Sequence, residues 1–531
     1  MLKHKWFLYL TEFFAGMSVM AIELGASRLM APYFSSSQIV WTVIIGTIMI
    51  AMALGNIIGG RLADKNPDPS RLYMRLLIAA VWTAAIPFAG RYLIMGISLL
   101  LAAFVKKNFL IWASFATCFI VFVFPLILLG TVTPSLVKFS VNNLDDNGKT
   151  VGELGALNTI GSIIGTFVPT FITIPAVGTA ATFIIFSSIL ALISIAYFLS
   201  IRKKLVKTTI AAVLIVVFSF TTVNYSFAFW EDNIIHEDES IYNYLQVKED
   251  NSSTILSTNV LFGVQSIMMK NQQLTGMYYD YALAAPIMAG VTQKSDNQLL
   301  ILGLGTGTYA TLCRRYFPDM SIEGVEIDEK IADLASQYFS LPSDVSVDVY
   351  DGRSYLNTRI SPDKKYDVIM VDAYQDITIP FQMSTIEFFT QVKTHLKENG
   401  VMVVNMNMKS KQEGSINDYL CDTISSVFAY IKKVPVNNGT NCEVFASDRT
   451  NLSESLLACL PSITNISLQA MMRTVANGLT DHVTNNRILT DDKAPVELLG
   501  MKVLDEIIQD ELDYYRDLYL SGDHSIRELL P

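Results

Sequence analysis

From about residue 6 to residue 229 the chain is a succession of long apolar runs broken by short polar or basic stretches; beyond that point the runs shorten and alternate with glycine-containing turns. The long runs predict membrane-crossing helices at roughly 6 to 30, 38 to 60, 72 to 89, 109 to 132, 154 to 176, 179 to 200 and 207 to 229, each near the ~20 residues that cross a bilayer. The stretch from Arg91 to Phe104 reads either as an eighth short span or as an interfacial helix, because Pro87, Gly90 and Arg91 precede it and Lys106 and Lys107 close it. The shorter pattern after residue 229 predicts strands. Around Tyr244, Gln246 and Lys248, at Thr254-Ile255-Leu256 and over Gln265 to Met269 it suggests a small β-sheet module. Leu299-Leu300-Ile301-Leu302 is unbroken and apolar, as in a parallel-sheet strand buried on both faces.

The fold class predicted is therefore a multi-pass α-helical membrane domain followed by an α/β Rossmann-like domain of the S-adenosylmethionine methyltransferase type, with a small β module before it. The expected boundaries are 1–230 for about seven spans, 231–296 for the β module and 297–531 for the nucleoside-binding domain.

Charge sharpens this division. The chain carries a formal net charge of −10, and almost all of the acidic surplus follows Phe229. Lys3 and Lys5 precede the first run, but no small-residue cleavage site follows, so that run reads as a retained helix. The basic residues Lys3, Lys5, Arg61, Lys65, Arg71, Arg75, Lys138, Lys149 and the Arg202-Lys203-Lys204-Lys207 run fall on one side of seven spans with the N-terminus inside. That count puts the soluble domain outside, whereas a domain using a cytosolic nucleoside belongs inside, and the chemistry is weighted above the charge count. Eight spans or an inverted N-terminus would reconcile the two; the localisation expected is the cell membrane, with the cytoplasmic side favoured for the soluble domain and its side left open. In the spans, Glu12, Glu23 and Arg28 mark either mutual pairing or a polar path.

Metal chemistry is not expected. Cys118 lies in a span, Cys313, Cys421, Cys442 and Cys459 lack Cys-x-x-Cys spacing, and the five histidines form no His-Glu-x-x-His helix. Nor is a nucleic-acid partner expected.

The chemistry-bearing signal is a repeated placement. Gly303-Leu304-Gly305-Thr306-Gly307 follows the first buried strand, and a helix is predicted from about Tyr309 to Phe317. Glycines there let the chain turn sharply and a ligand approach the backbone. The next strand, 321–325, ends in Glu326, where a carboxylate can accept from both ribose hydroxyls; a third, 345–350, is closed by Asp351-Gly352; a fourth, 367–371, ends in Asp372. One acid after one strand is usually a helix cap or turn residue. Acids after three successive strands, in register with a glycine loop, converge on the crevice outside the carboxyl ends of a parallel sheet and indicate a nucleoside site.

Residues 239–500 resemble the spermidine synthase family, the polyamine aminopropyltransferases, and the whole chain resembles its membrane-fused branch. The resemblance rests on Glu239-Ser240-x-Tyr242, Gly263-Val264-Gln265-Ser266, Tyr278-Tyr279-Asp280, the glycine loop, Val325-Glu326-Ile327-Asp328, Asp351-Gly352, Val371-Asp372 and the late Thr490 to Glu497 segment. It implies transfer of an aminopropyl group from decarboxylated S-adenosylmethionine, as co-substrate, to a polyamine such as putrescine, leaving methylthioadenosine. It further implies that Asp372 is the catalytic acid with Tyr278 assisting, and that Gly303, Gly305, Thr306, Gly307, Glu326, Asp351 and Gly352 hold the donor. Asn243, Gln265, Tyr279, Asp280, Gln375 and Asp376 are implied around the acceptor. The bilayer is the other partner, and the resemblance suggests homo-oligomers.

The sequence departs from the family pattern at three places. Thr306 stands where the family has an acid that pairs with the amine of the decarboxylated donor. Asp372-Ala373-Tyr374-Gln375-Asp376 replaces Asp-x-x-Asp-Pro, so that Gln375 takes the second acid's place and Asp376 comes one residue late. Asn243 replaces a Gln. The first departure keeps an S-adenosylmethionine-dependent methyltransferase open as an alternative. The intramembrane charges keep open a transporter or sensor whose soluble domain binds nucleoside or polyamine without turnover.

Overall fold

A computed structural model describes residues 5–521, apart from 142–146, 224, 261–262, 272, 292–294, 375–377, 409, 411 and 438. The chain divides into two compact units, one of residues 1–230, 238–244 and 259–261, the other of 231–237, 245–258 and 262–531.

The first unit is built from α1 (Lys5–Phe34), α2 (Gln38–Lys65), α3 (Pro69–Ala102), α4 (Phe109–Val121), α5 (Val123–Gly130), α6 (Val132–Ser140), α7 (Asn147–Val168), α8 (Ile174–Ile201) and α9 (Leu205–Phe220). Among the described residues five helical stretches are long and apolar enough to cross a membrane, and one of these is the 54-residue stretch from Gly148 to Ile201. That stretch is interrupted at Gly178, whose φ of 81° and ψ of 166° are not helical. α1 and α7 pack closely because Gly161 and Gly165 bear no side chain: a Cβ at either would overlap the carbonyls of Phe13 and Met17.

The stretch from Arg91 to Phe104 is neither a separate span nor an interfacial helix, since α3 runs unbroken to Ala102 with Pro87 inside it. A proline removes one backbone donor, which neighbouring helices can compensate; α3 packs against α8 and α4. Arg91 donates to the Ser226 carbonyl (2.9 Å) and lies over the rings of Tyr92, Tyr225 and Phe229. Two of the three charges in the apolar helices have partners. Glu12 accepts from Thr133 (2.6 Å) and Asn158 (2.9 Å), and Arg28 donates to the Ile241 carbonyl. Glu239 is spent at the helix break, where its carboxylate accepts from the backbone N–H (2.6 Å) and hydroxyl (2.5 Å) of Thr179.

Beyond α9, strands β1 (Ile234–Glu239), β2 (Tyr244–Glu249), β3 (Ser253–Ser257) and β4 (Ser266–Met269) form a four-stranded sheet in the order β1-β2-β3-β4, antiparallel at β2–β3 and β3–β4. The second sheet has eight strands: β5 (Asn297–Leu302), β6 (Met320–Glu326), β7 (Ser346–Val349), β8 (Tyr366–Val371), β9 (Leu396–Met406), β10 (Tyr430–Pro435), β11 (Cys442–Ser447) and β12 (Thr480–Asp481), ordered β12-β10-β11-β9-β8-β5-β6-β7. β5 to β9 run parallel, and β11 and β10 return antiparallel. This is a Rossmann-like, methyltransferase-type sheet, with its order reversing beside β5, between β6 and β8, the switch point at which such sheets bind ligands.

The helices of this unit are α10 (Tyr278–Ala282), α11 (Ala284–Met288), α12 (Thr308–Tyr316), α13 (Glu329–Tyr338), α14 (Gly352–Thr358), α15 (Ile386–Thr394), α16 (Ile416–Val427), α17 (Leu452–Cys459), α18 (Ile466–Gly478) and α19 (Val496–Ser521). On one face of the sheet α10, α11 and α12 bury Leu299, Ile301, Val368, Met370, Val401, Val403 and Phe445 in a single core. Burial on that face comes from alternate residues of each strand.

Candidate active site

At the carboxyl ends of these strands the apolar rows stop and polar groups begin. β5 leads into Gly303, whose φ is +88° and where a Cβ would overlap the Asp372 carbonyl. Only glycine takes that conformation without strain while lying so close to a neighbouring chain. The loop is tied to the next strand through Glu326: one carboxylate oxygen accepts from the Gly305 N–H (2.8 Å), the other from the Asp328 N–H (3.0 Å). Loss of water on burial raises the Glu326 carboxyl to about 7, with the backbone hydrogen bonds acting the other way. Thr306 donates its N–H to Ser266 Oγ (3.1 Å), and its own buried hydroxyl has no hydrogen-bond partner among the described residues. Thr308 clasps the backbone of Ile267, donating to its carbonyl (2.9 Å) and accepting from its N–H (3.1 Å).

Asp372 follows β8 and stands two residues beyond Met370, on the face shared with α10. Its Oδ2 accepts from the Tyr278 hydroxyl (2.7 Å) and its Oδ1 from the Asn405 amide (2.8 Å). Asn405 Oδ1 in turn accepts from Asn441 Nδ2 (2.8 Å), which fixes the amide's orientation. Burial raises the Asp372 carboxyl to about 7; the bonds from Tyr278 and Asn405 oppose that rise and the charge of Glu326 adds to it. The ring of Tyr279 lies 3.9 Å, centroid to centroid, from that of Tyr278, and its hydroxyl donates to the Gln265 carbonyl (2.8 Å).

Such an assembly can hold a nucleoside by its ribose hydroxyls and take a proton near neutral pH from a group at Asp372. Among the described residues no group of three or more His, Cys, Asp or Glu is placed to hold a metal.

Residues 283–440 match the sequence profile of the spermine/spermidine synthase domain. Over 339 residues the chain is 50% identical to a probable polyamine aminopropyl transferase of Bifidobacterium longum, covering 61% of this chain and 74% of that protein. The chain belongs to the spermine/spermidine synthase family. The polyamine aminopropyltransferase of Vibrio vulnificus is 29% identical over 290 residues, covering 51% of this chain and 93% of its own. A probable spermidine synthase structure from Corynebacterium glutamicum overlays with a TM-score of 0.38 at 20% identity, covering 48% of this chain and 99% of that one.

Other candidates of this spermine/spermidine synthase member occupy different positions. Asp351 is the N-cap of α14, accepting from the Ser354 N–H (2.8 Å), with Gly352 opening the helix. Asp280 is fully buried and committed to a turn, accepting from the N–H groups of Thr275 (3.0 Å) and Gly276 (2.6 Å) and from the Thr275 hydroxyl (3.0 Å). That shell ties Asp280 to the segment before α10. Asn243 belongs to the helical unit, where its carbonyl accepts from the Ser240 N–H (2.8 Å). Gln375 and Asp376 lie outside the described residues. Sequence reasoning gave no site role to Ser266, Asn405 or Asn441. A signal existed for Asn405, a lone amide at the end of the apolar run Val401-Met402-Val403-Val404, where a buried strand reaches the ligand edge. The others are placed by loops and strand pairing that no local pattern marks.

Proposed function

We propose that this protein transfers the aminopropyl group of decarboxylated S-adenosylmethionine to an amine of a polyamine such as putrescine. The observation that carries the reading is the Asp372 carboxyl, set at about 7 and gripped by Tyr278 and Asn405 next to the glycine loop. In the reaction the amine's lone pair attacks the aminopropyl carbon bonded to the sulfonium. A C–N bond forms, the C–S bond breaks with its electron pair passing to sulfur, and neutral methylthioadenosine leaves. Asp372 accepts the proton that the nitrogen sheds, while Tyr278 holds the carboxylate aimed at it. Glu326 holds the ribose, the Gly303 to Gly307 backbone leaves room for the nucleoside, and Asp351 with Gly352 meets the adenine edge. Gln265 and Tyr279 line the acceptor's approach.

The long apolar helices anchor this enzyme in the cell membrane, and a donor made in the cytosol places the catalytic unit on the cytoplasmic side. Supplying the purified full-length protein with both donors and a mixed amine pool, then identifying the nucleoside by mass spectrometry, tests the reading. Methylthioadenosine together with an aminopropylated amine is the expected result. A second reading, methyl transfer from S-adenosylmethionine, is favoured by the uncharged Thr306 where the donor's amine calls for an acid. S-adenosylhomocysteine as the product would select it.

A further inference from the structure

The face of the sheet that carries Asp372 also carries a buried acid with no counterpart in the reaction as described. Glu443 lies on β11 directly opposite Asn405 in the antiparallel register, two residues before the core residue Phe445. It therefore continues the polar row that starts at Asp372 and passes through Asn405, one strand further on. The residue is completely buried, and neither carboxyl oxygen has a hydrogen-bond partner among the described residues.

Nearby donors are turned elsewhere. The Asn405 amide donates to Asp372, Asn441 Nδ2 to Asn405, the Tyr374 hydroxyl to the Asn405 carbonyl and the Tyr309 hydroxyl to the Ala282 carbonyl (3.1 Å). Burial, and after it the charge of Asp372, push the Glu443 carboxyl well above the usual range. An isolated buried carboxyl is a costly feature unless a cation or donor arrives to satisfy it.

The geometry points to Glu443 as the second carboxylate of the acceptor site, the one that receives the non-reacting ammonium of a diamine or polyamine while Asp372 receives the reacting nitrogen. This rests on the aminopropyl-transfer reading. Asp372 and Glu443 sit two strands apart, roughly 10 Å between backbones. The two nitrogens of a short diamine, each a hydrogen bond from its carboxylate, span a separation of that order with a few methylenes between them. In sequence, Gln375 stands at the place of the family's second acid, and Glu443 offers a carboxylate from β11 instead. A monoamine, with only one cationic end, leaves Glu443 unsatisfied and is disfavoured.

The test is calorimetric titration of the detergent-solubilised full-length protein, saturated with methylthioadenosine, with 1,4-diaminobutane and with butylamine. Wild type should prefer the diamine, and Glu443→Gln should reduce that preference ~10- to 100-fold while changing butylamine binding less than about threefold. Glu443→Asp keeps the charge and should retain part of the preference; where the Gln variant does not fold, a preference in the Asp variant equal to wild type overturns the assignment. An unchanged preference in Glu443→Gln, or an equal loss for both amines, overturns it as well. Binding is read without turnover, so the two readings fail separately. A protein that makes methylthioadenosine but has a Glu443-independent preference keeps the reaction and loses this site. One that makes no aminopropylated product yet shows a Glu443-dependent preference keeps the site and loses the reaction.

Discussion

The Tyr278 hydroxyl donates to Asp372 Oδ2 at 2.7 Å, joining the first turn of α10 to the end of β8 across 94 residues of chain. With Asn405 on the other oxygen, the carboxylate is held from both sides, and a base so fixed can meet its proton without reorienting. Replacing Asp372 by Asn keeps the shape and removes the proton acceptor. Steady-state kinetics should show kcat lowered by about 10²- to 10⁴-fold with the fold retained by circular dichroism; full turnover with the correct donor would remove Asp372 from the catalytic role.

The raised carboxyls make a pH dependence with a definite sign. Activity requires Asp372 without its proton, so kcat/KM should rise with pH through about 7. Stability of the unliganded protein should run the other way. Asp372 and Glu326 have folded-state values of about 7, above the ~4 of unfolded carboxyls, so their contribution is full below ~4 and is lost as pH rises to about 7. Thermal melts at fixed ionic strength from pH 5 to 8 check this, and an α/β unit that becomes more stable over that interval contradicts it.

Tyr278→Phe deletes a hydrogen bond that favours the charged form of Asp372. At about 1 kcal/mol for such a bond, the acid limb of the pH–rate profile should move up by roughly one unit. A drop in rate at every pH with an unmoved limb would give Tyr278 a packing part instead.

Glu326→Gln should raise the KM for the donor by about tenfold or more while kcat falls less. The amide keeps one oxygen for the Gly305 or Asp328 N–H but cannot accept at both places that Glu326 now serves. A kcat loss with unchanged donor KM would take Glu326 out of donor binding.

Gly303→Ala puts a Cβ against the Asp372 carbonyl and the Ala373 backbone at a φ of +88°. Strain of about 1–3 kcal/mol is expected, visible as a lower unfolding midpoint of the α/β unit, together with activity lost through displacement of Asp372. A fully active and equally stable variant would mean that the loop can move away from β8.

How far the sequence can be read depends on the range of the interaction. β5 and β8 are legible at Leu299–Leu302 and 367–371 because strands buried on both faces are apolar along nearly their whole length, and Gly303 is legible because the turn after such a strand tolerates little else. Glu326 and Asp372 were legible as acids at strand ends. The straight course of α3 through Pro87 and the commitment of Asp280 to the Thr275-Gly276 turn were not, since each depends on what packs alongside.

By itself the sequence determined that long apolar helices precede a parallel α/β unit, and that a glycine loop and three acids follow its strands, because periodicity, hydropathy and turn chemistry are local properties of the chain. Only the tertiary structure decided that Asn405 and Asn441 orient Asp372, that Glu239 is consumed at the Gly178 break, and that Glu443, on the face that Asp372 shares, is buried without a partner among the described residues. Those facts arise from pairing between β9 and β11 and from packing between residues far apart in sequence. Hydrogen-bond partners at such distances are chosen by the folded geometry, which no window of neighbouring residues records.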